Sequence, residues 1–371
     1  MKVTVNGLDL STAVGKVIKA ASTRTTNPIL EGVKIKAEKD VLTLTCTDQE
    51  LAIEKCIKAD IDSDGEVVVP GKFFAEYIRR VEDAQVELIL NAGRVLTIKY
   101  QDSVSEIRCM NEDEYPPVKN LDNAEGFSIT QKDFKDLISK VVFSVATDEA
   151  RPVLKGCLLE INENTLTAVA LDGYRLARCI KPIKNVSAAM DAVVPSRSLS
   201  EVHKLLDDSD TPVRVLKQRN FMMVEFSDGR LTTRLLDGDY FNYKQIIPAE
   251  FTTEITVNKK QLENGLDRAS LLSRADKTSN LVKMDVTENV MTLTAESDIG
   301  TSRERVAIKL AGKDIYTAYN VKNFVEALRA IPDEFIKIRF IKAENPCLIT
   351  ATGAESDYTY LILSIRRRDN M

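Results

Sequence analysis

Charged side chains recurring at fixed spacing are the first chemistry the chain offers. Lys72, Glu76 and Arg79 stand at i, i+4 and i+7 of one helical run; Arg197, Glu201 and Lys204 do the same in a second, and Lys322, Glu326 and Arg329 in a third. That spacing puts each set on one helix face. Two cations flanking a carboxylate make no nucleophile. They make a weak, non-directional lining for evenly spaced anions such as phosphates, with the carboxylate limiting how tightly any one is held. On one helix such a face is an ordinary solvated surface with internal ion pairs. Three copies at matching places call for a common arrangement.

Other chemistry finds little to work with. The one histidine, His203, lies in a helical run (Leu199 to Leu206) away from any serine or cysteine nucleophile setting, and reads as a helix-surface residue. Cys46, Cys56, Cys109, Cys157, Cys179 and Cys347 form no C-x-x-C pair, which fits buried reduced thiols and no metal site. Asp60-x-Asp62-x-Asp64-Gly65 mimics the start of an EF-hand loop, but Gly71 stands where the bidentate glutamate is needed, so an acidic turn is expected. No phosphate-cradling, dinucleotide or hydrolase-elbow motif occurs, and no cofactor is implied. An enzyme working through paired acids is disfavoured, because the carboxylates that recur do so on cationic faces.

The elements that position the charged faces follow from periodicity. Asp9 to Ser22 reads as a helix capped by Ser11 or Asp9, with Leu10, Val14, Val17, Ile18 and Ala21 on one face. Short alternating strands follow: Gly32 to Ala37, Val41 to Thr47, Leu51 to Ala59 and Val67 to Pro70. Gly71 to Val81 is a second helix with Phe74, Tyr77, Ile78 and Val81 as its buried stripe, and three more strands run to Met110. Helix, strands, helix, strands then repeats twice, starting from the stripes Phe134-Leu137-Ile138-Val141 and Leu262-Leu266-Ala269. The period of about 125 residues is far longer than solenoid units of about 20–50, so three homologous domains are expected, at 1–120, 128–248 and 251–371.

Composition agrees with several domains. A chain of 371 residues exceeds one compact core, 44% of it is hydrophobic, and a charged fraction of 29% nets only −5, so only local charge placement can decide a partner. No run of about 18 apolar residues occurs; a cytoplasmic protein is expected.

Within the second repeat, Leu171-Asp172-Gly173-Tyr174-Arg175-Leu176-Ala177 reads as a strand, a tight Asp-Gly bend and a second strand. With the threefold repeat, the C-terminal run Tyr360-Leu361-Ile362-Leu363-Ser364-Ile365-Arg366, Arg24 followed by Asn27-Pro28-Ile29-Leu30, and Asp237-Gly238 leading to Ile247-Pro248, it resembles one family over essentially the full length: the sliding clamps, beta subunits of bacterial DNA polymerase III. The resemblance implies an α+β chain of three domains, each with two helices packed on antiparallel sheets, closing as a head-to-tail homodimeric ring around duplex DNA. It implies no catalysis, and partners such as the polymerase III alpha subunit, the clamp loader and repair proteins that carry short clamp-binding peptides.

Carried over by position, the peptide groove comprises Leu154, Leu171, Gly173, Tyr174, Arg175, Leu176, Phe241, Ile246, Pro346, Leu361 and Leu363. The DNA-facing set is Arg24, Lys72, Arg79, Arg151, Arg197, Lys204, Lys322 and Arg329, with Asp148 standing where a neutral residue would better suit a phosphate. For dimer closure the resemblance points to Leu271 and Leu272 against the Ile107 strand. The chain departs from the family at Leu171, at Tyr240-Phe241 and at Ser364, and Arg366 to Met371 extends past the usual end; the departures bear on which peptide the groove prefers.

Overall fold

A computed structural model describes residues 1–81, 84–121, 124–275, 280–353 and 357–365. The expected C-terminal extension Arg366 to Met371 lies outside the described residues. In the first repeat β1 (Lys2–Asn6) leads into α1 (Gly7–Val17), then β2 (Gly32–Glu38), β3 (Val41–Thr47), β4 (Leu51–Lys58), β5 (Asp60–Ser63) and β6 (Gly65–Pro70). It closes with α2 (Gly71–Ile78), β7 (Gln85–Asn91), β8 (Val95–Tyr100) and β9 (Ser103–Arg108). The second repeat runs β10 (Glu125–Thr130), α3 (Gln131–Val141), β11 (Gly156–Asn162), β12 (Thr165–Leu171), β13 (Arg175–Pro182) and β14 (Asp191–Pro195). After these come α4 (Ser196–Leu205), β15 (Pro212–Gln218), β16 (Phe221–Phe226) and β17 (Gly229–Arg234). The third begins β18 (Thr253–Asn258), α5 (Lys259–Ala275), β19 (Leu281–Thr287), β20 (Val290–Ser297), β21 (Gly300–Gly312) and β22 (Ile315–Asn320). It ends α6 (Val321–Arg329), β23 (Phe335–Phe340), β24 (Cys347–Ala351) and β25 (Tyr358–Ile362).

These elements gather into two compact units. The first holds 1–132, 184–188 and 200–235; the second holds 133–183, 189–199 and 236–371. In the first unit one sheet runs β5-β1-β7-β8-β9 and another β10-β15-β16-β17-β4-β3-β2-β6. The second unit has one long sheet, β14-β11-β12-β13-β25-β24-β23-β18-β21-β20-β19-β22. The strand pairings with a stated register are antiparallel, for example β4 with β17 and β13 with β25.

The strand registers make the repeat a geometric fact. In the first unit Ala52 of β4 lies between Thr47 of β3 and Thr232 of β17; in the second, Leu176 of β13 lies between Leu171 of β12 and Leu361 of β25. The same junction, one repeat's hairpin edge joined to the next repeat's last strand, is thus built twice.

The structure moves several elements from where the sequence placed them. α1 opens at Gly7, because the Asn6 side chain accepts hydrogen bonds from Leu8 N (2.9 Å) and Asp9 N (3.1 Å), and neither Ser11 nor Asp9 is the cap. It ends at Val17 with a 3-10 turn over Ile18–Ala20. Each repeat starts with a strand (β1, β10, β18) that periodicity alone did not separate from the helix behind it. The acidic Asp60–Ser63 segment is strand β5, paired with β1 through Val3 and Ile61, rather than a turn. Tyr77 is half-buried, its hydroxyl donating to Ser105 Oγ at 2.8 Å, while Phe74 and Ile78 are fully buried. No helix among the described residues is long and apolar enough to cross a membrane.

Candidate functional site

The three charged faces sit as helix geometry requires. Phe74, Leu199 and Phe324 are 0% exposed, anchoring α2, α4 and α6, while Lys72, Arg79, Arg197, Lys204, Lys322 and Arg329 are all exposed. α6 is capped by Asn320, whose Oδ1 accepts from Lys322 N at 3.0 Å and Asn323 N at 3.4 Å. Pairing differs between the faces. Glu201 accepts from Lys204 Nζ at 2.7 Å; Arg329 lies 3.2 Å from Asp267 and 3.7 Å from Glu263 of α5; Glu326 lies 3.9 Å from Lys322 Nζ. Arg24 is exposed on the loop before Pro28, where its carbonyl accepts from Ser22 Oγ.

The Asp172–Arg175 turn is folded by one carboxylate. Asp172 Oδ1 accepts from Tyr174 N (2.8 Å) and Arg175 N (3.0 Å), while Gly173 takes φ +91°, a left-handed conformation costly for any residue with a Cβ. Asp172 Oδ2 accepts from Arg175 Nε at 3.0 Å. The rest of that guanidinium is also engaged: Nη2 donates to Phe143 O at 2.6 Å, Nη1 donates to Glu326, and the group stacks 5.5 Å from the Phe143 ring centre. β25 adds itself to β13 beside this turn, and Leu363 N donates to Tyr174 O at 2.9 Å, carrying the pairing past the strand end.

Together these elements enclose a cavity of about 360 Å³ lined by Arg151, Leu171, Gly173, Arg175, Phe241, Ile246, Pro346, Leu361 and Leu363. Eight of these nine belong to the set carried over by position; the ninth, Arg151, was expected to face DNA. Leu154 and Leu176, 4% and 1% exposed, lie in the apolar cluster with Leu171 and Leu361 and do not line the opening. Tyr174 is 70% exposed and also outside the lining. Phe241, Ile246 and Leu363 remain partly open to solvent at 46%, 37% and 38%, so the cavity presents apolar surface that nothing among the described residues covers.

The matching place in the first unit is different in kind. Its floor row reads Thr47, Ala52 and Thr232 where the second unit has Leu171, Leu176 and Leu361. The cavity there is about 190 Å³ and is lined in part by Gln49, Glu50 and Lys119. Of the two, the second unit alone has an aliphatic floor for an apolar anchor.

Near β9, Ile107 is 6% exposed, whereas Val104 is 62% exposed and Phe73, stacked on Tyr77, is 56% exposed. On α5 Leu271 is 69% exposed and Leu272 half-buried, so Leu271 is not core packing. The sequence assigns neither Phe73 nor Val104 to an interface; only their departure from the buried stripes marks them for one.

An ion-pair lattice joins α3, β13 and the start of β25. Lys140 Nζ lies 2.8 Å from Asp136 and 3.0 Å from Asp357, and Lys181 Nζ lies 2.6 Å and 2.7 Å from the same two carboxylates. Burial works against the charges of Lys140, Lys181 and Asp357, yet the hydrogen bonds prevail: both lysines are held above their ordinary range and Asp357 below its own. Asp136, Cys179 and Asp357 come close enough to suggest metal ligands, but both carboxylates are already neutralised and burial pushes the Cys179 thiol up to about 12. The cluster is structural.

Comparison with known proteins matches this architecture. Models of the N-terminal, central and C-terminal domains of the DNA polymerase III beta subunit match residues 1–122, 128–242 and 244–366. The beta sliding clamp of Halalkalibacterium halodurans is 33% identical over 352 residues, covering 91% of this chain and 93% of the relative. The DNA polymerase sliding clamp of Bacillus subtilis superposes with a TM-score of 0.95 at 29% identity over 99% of both chains, and a putative DNA polymerase III beta subunit from Eubacterium rectale with 0.93 at 30% over 99% and 100%. The chain therefore belongs to the beta sliding clamps, the non-catalytic processivity subunits of bacterial DNA polymerase III.

Proposed function

We propose that two copies of this chain, each of three clamp domains at 1–120, 128–248 and 251–371, close head to tail into a ring around duplex DNA. The junction that is built twice carries this reading. β4 pairs with β17 and β13 with β25, whereas among the described residues β9, the counterpart of β17 and β25, ends its sheet, and the first part of β21, the counterpart of β4 and β13, pairs on one side with β20 only. A strand edge with such an internal template favours the same pairing between copies. Glu54 opposite Arg230 and Arg178 opposite Thr359 are equivalent pairs, so stepping along the repeat sets Arg303 opposite Val104 of the other copy. The exposed Val104, Phe73 and Leu271 supply apolar surface for such an interface, with Ile107 on the same strand and Leu272 beside Leu271.

In this arrangement Arg24, Lys72, Arg79, Arg197, Lys204, Lys322 and Arg329 meet phosphates loosely, and Arg151, of the same DNA-facing set, also lines the groove. The 360 Å³ cavity takes apolar anchors of an extended peptide from the polymerase alpha subunit, the clamp loader or repair proteins. The ring is tested by oxidising the double variant Val104→Cys, Arg303→Cys. A covalent dimer of twice 41.4 kDa on a non-reducing gel supports it. Monomer alone, or equal cross-linking by Val104→Cys with Arg305→Cys, two residues out of register, overturns the proposed pairing.

A further inference from the structure

We infer that Glu326, a residue of the charged face of α6 that does not line the groove, is a positioning residue for peptide binding, holding Arg175 and thereby the wall formed by Gly173 and Arg175. The inference rests on the peptide reading of the groove. Arg175 has a side chain only 10% exposed, and each of its nitrogens has a fixed acceptor: Asp172, Phe143 O and Glu326. Asp172 is shared, since one of its oxygens folds the turn and the other holds Nε. Without Glu326, Nη1 loses its anionic acceptor and the guanidinium, which lines the cavity, is free to reorient against the carboxylate that shapes the turn.

The first repeat separates this role from folding of the bend. There Asp48 Oδ1 accepts from Glu50 N (3.1 Å) and Leu51 N (2.8 Å), the same turn, with Leu51 in the place of Arg175. The bend thus forms with a leucine, not an arginine, at that position. Of the equivalent carboxylates, Glu76 is exposed and Glu201 pairs along its own helix with Lys204. Among the described residues, Glu326 alone of these three carboxylates reaches across to the turn of another repeat. Because Lys322 lies 3.9 Å from Glu326, the carboxylate stands between the phosphate-facing surface and the groove.

The test uses the full-length dimer and a fluorescent peptide copied from the clamp-binding segment of the polymerase alpha subunit, read by anisotropy. Glu326→Ala and Arg175→Ala each weaken binding about tenfold, the scale of losing one charge-assisted hydrogen bond. The double variant is no weaker than the worse single one, and Glu326→Gln, which keeps an acceptor, recovers most of the loss. Glu201→Ala stays within about twofold of the parent, and a cooperative thermal transition confirms that each variant is folded. Unchanged affinity in Glu326→Ala, or additive losses in the double variant, overturns the inference while leaving the groove reading intact. A parent protein that does not bind the peptide overturns both.

Discussion

Leu363→Ala and Leu176→Ala separate the groove from the core beneath it. Leu363 is 38% exposed on the cavity lining, and Leu176 is 1% exposed in the cluster below. Complete burial of a leucine side chain is worth about 1.5–3 kcal/mol, so a peptide covering the open 38% of Leu363 gains about 0.6–1.1 kcal/mol from it. Leu363→Ala should therefore raise the peptide Kd about three- to sevenfold, with the dimer intact. Leu176→Ala instead leaves a hole among Leu154, Leu158, Val169, Leu171 and Leu361, at a cost of about 2–5 kcal/mol of stability. Its melting midpoint should fall by several degrees, and peptide binding should suffer only as the pocket floor collapses. Anisotropy titration and thermal melting of both variants decide the matter. A peptide Kd unchanged by Leu363→Ala, or a Leu176→Ala protein that melts like the parent, would refute the division into floor and opening.

Two further outcomes follow from the charges. Replacing Lys72, Arg197 and Lys322 together with alanine should flatten the dependence of DNA affinity on log salt by about 0.9 for each phosphate that is no longer neutralised; an unchanged slope would remove these residues from the DNA-facing set. The Asp357 lattice should shape stability against pH. A carboxylate held below its ordinary range contributes stability above about pH 4 and loses it as pH falls through the lowered value, while lysines held high contribute below about pH 10 and lose it only above. The melting gap between the parent and Asp357→Asn should be flat between these limits and close on the acid side; a gap constant down to about pH 2 would contradict this.

Much of this fold is legible in the sequence because it is said three times. Stepping by the period superposes Lys72, Arg197 and Lys322, and the structure exposes all three while burying Phe74, Leu199 and Phe324. What the sequence hides is local or distant. Asn6 belongs to a short strand whose last residue doubles as a helix cap, which no stripe reveals. Asp60–Ser63 carries turn-like charges, yet its backbone is recruited by β1. The division of the second repeat between two units depends on β4–β17 and β13–β25 pairing across long chain separations, and the partnership of Arg175 with Glu326 spans 151 residues. The groove positions came from family resemblance; periodicity alone gave only the Asp172-Gly173 bend.

The proposed ring holds DNA by surrounding it. Loaded onto closed circular duplex DNA, the dimer should stay through a wash at about 1 M salt, where phosphate contacts are screened, and leave within the same wash once the circle is cut. Loss from the uncut circle at that salt, or retention after cutting, would contradict the account.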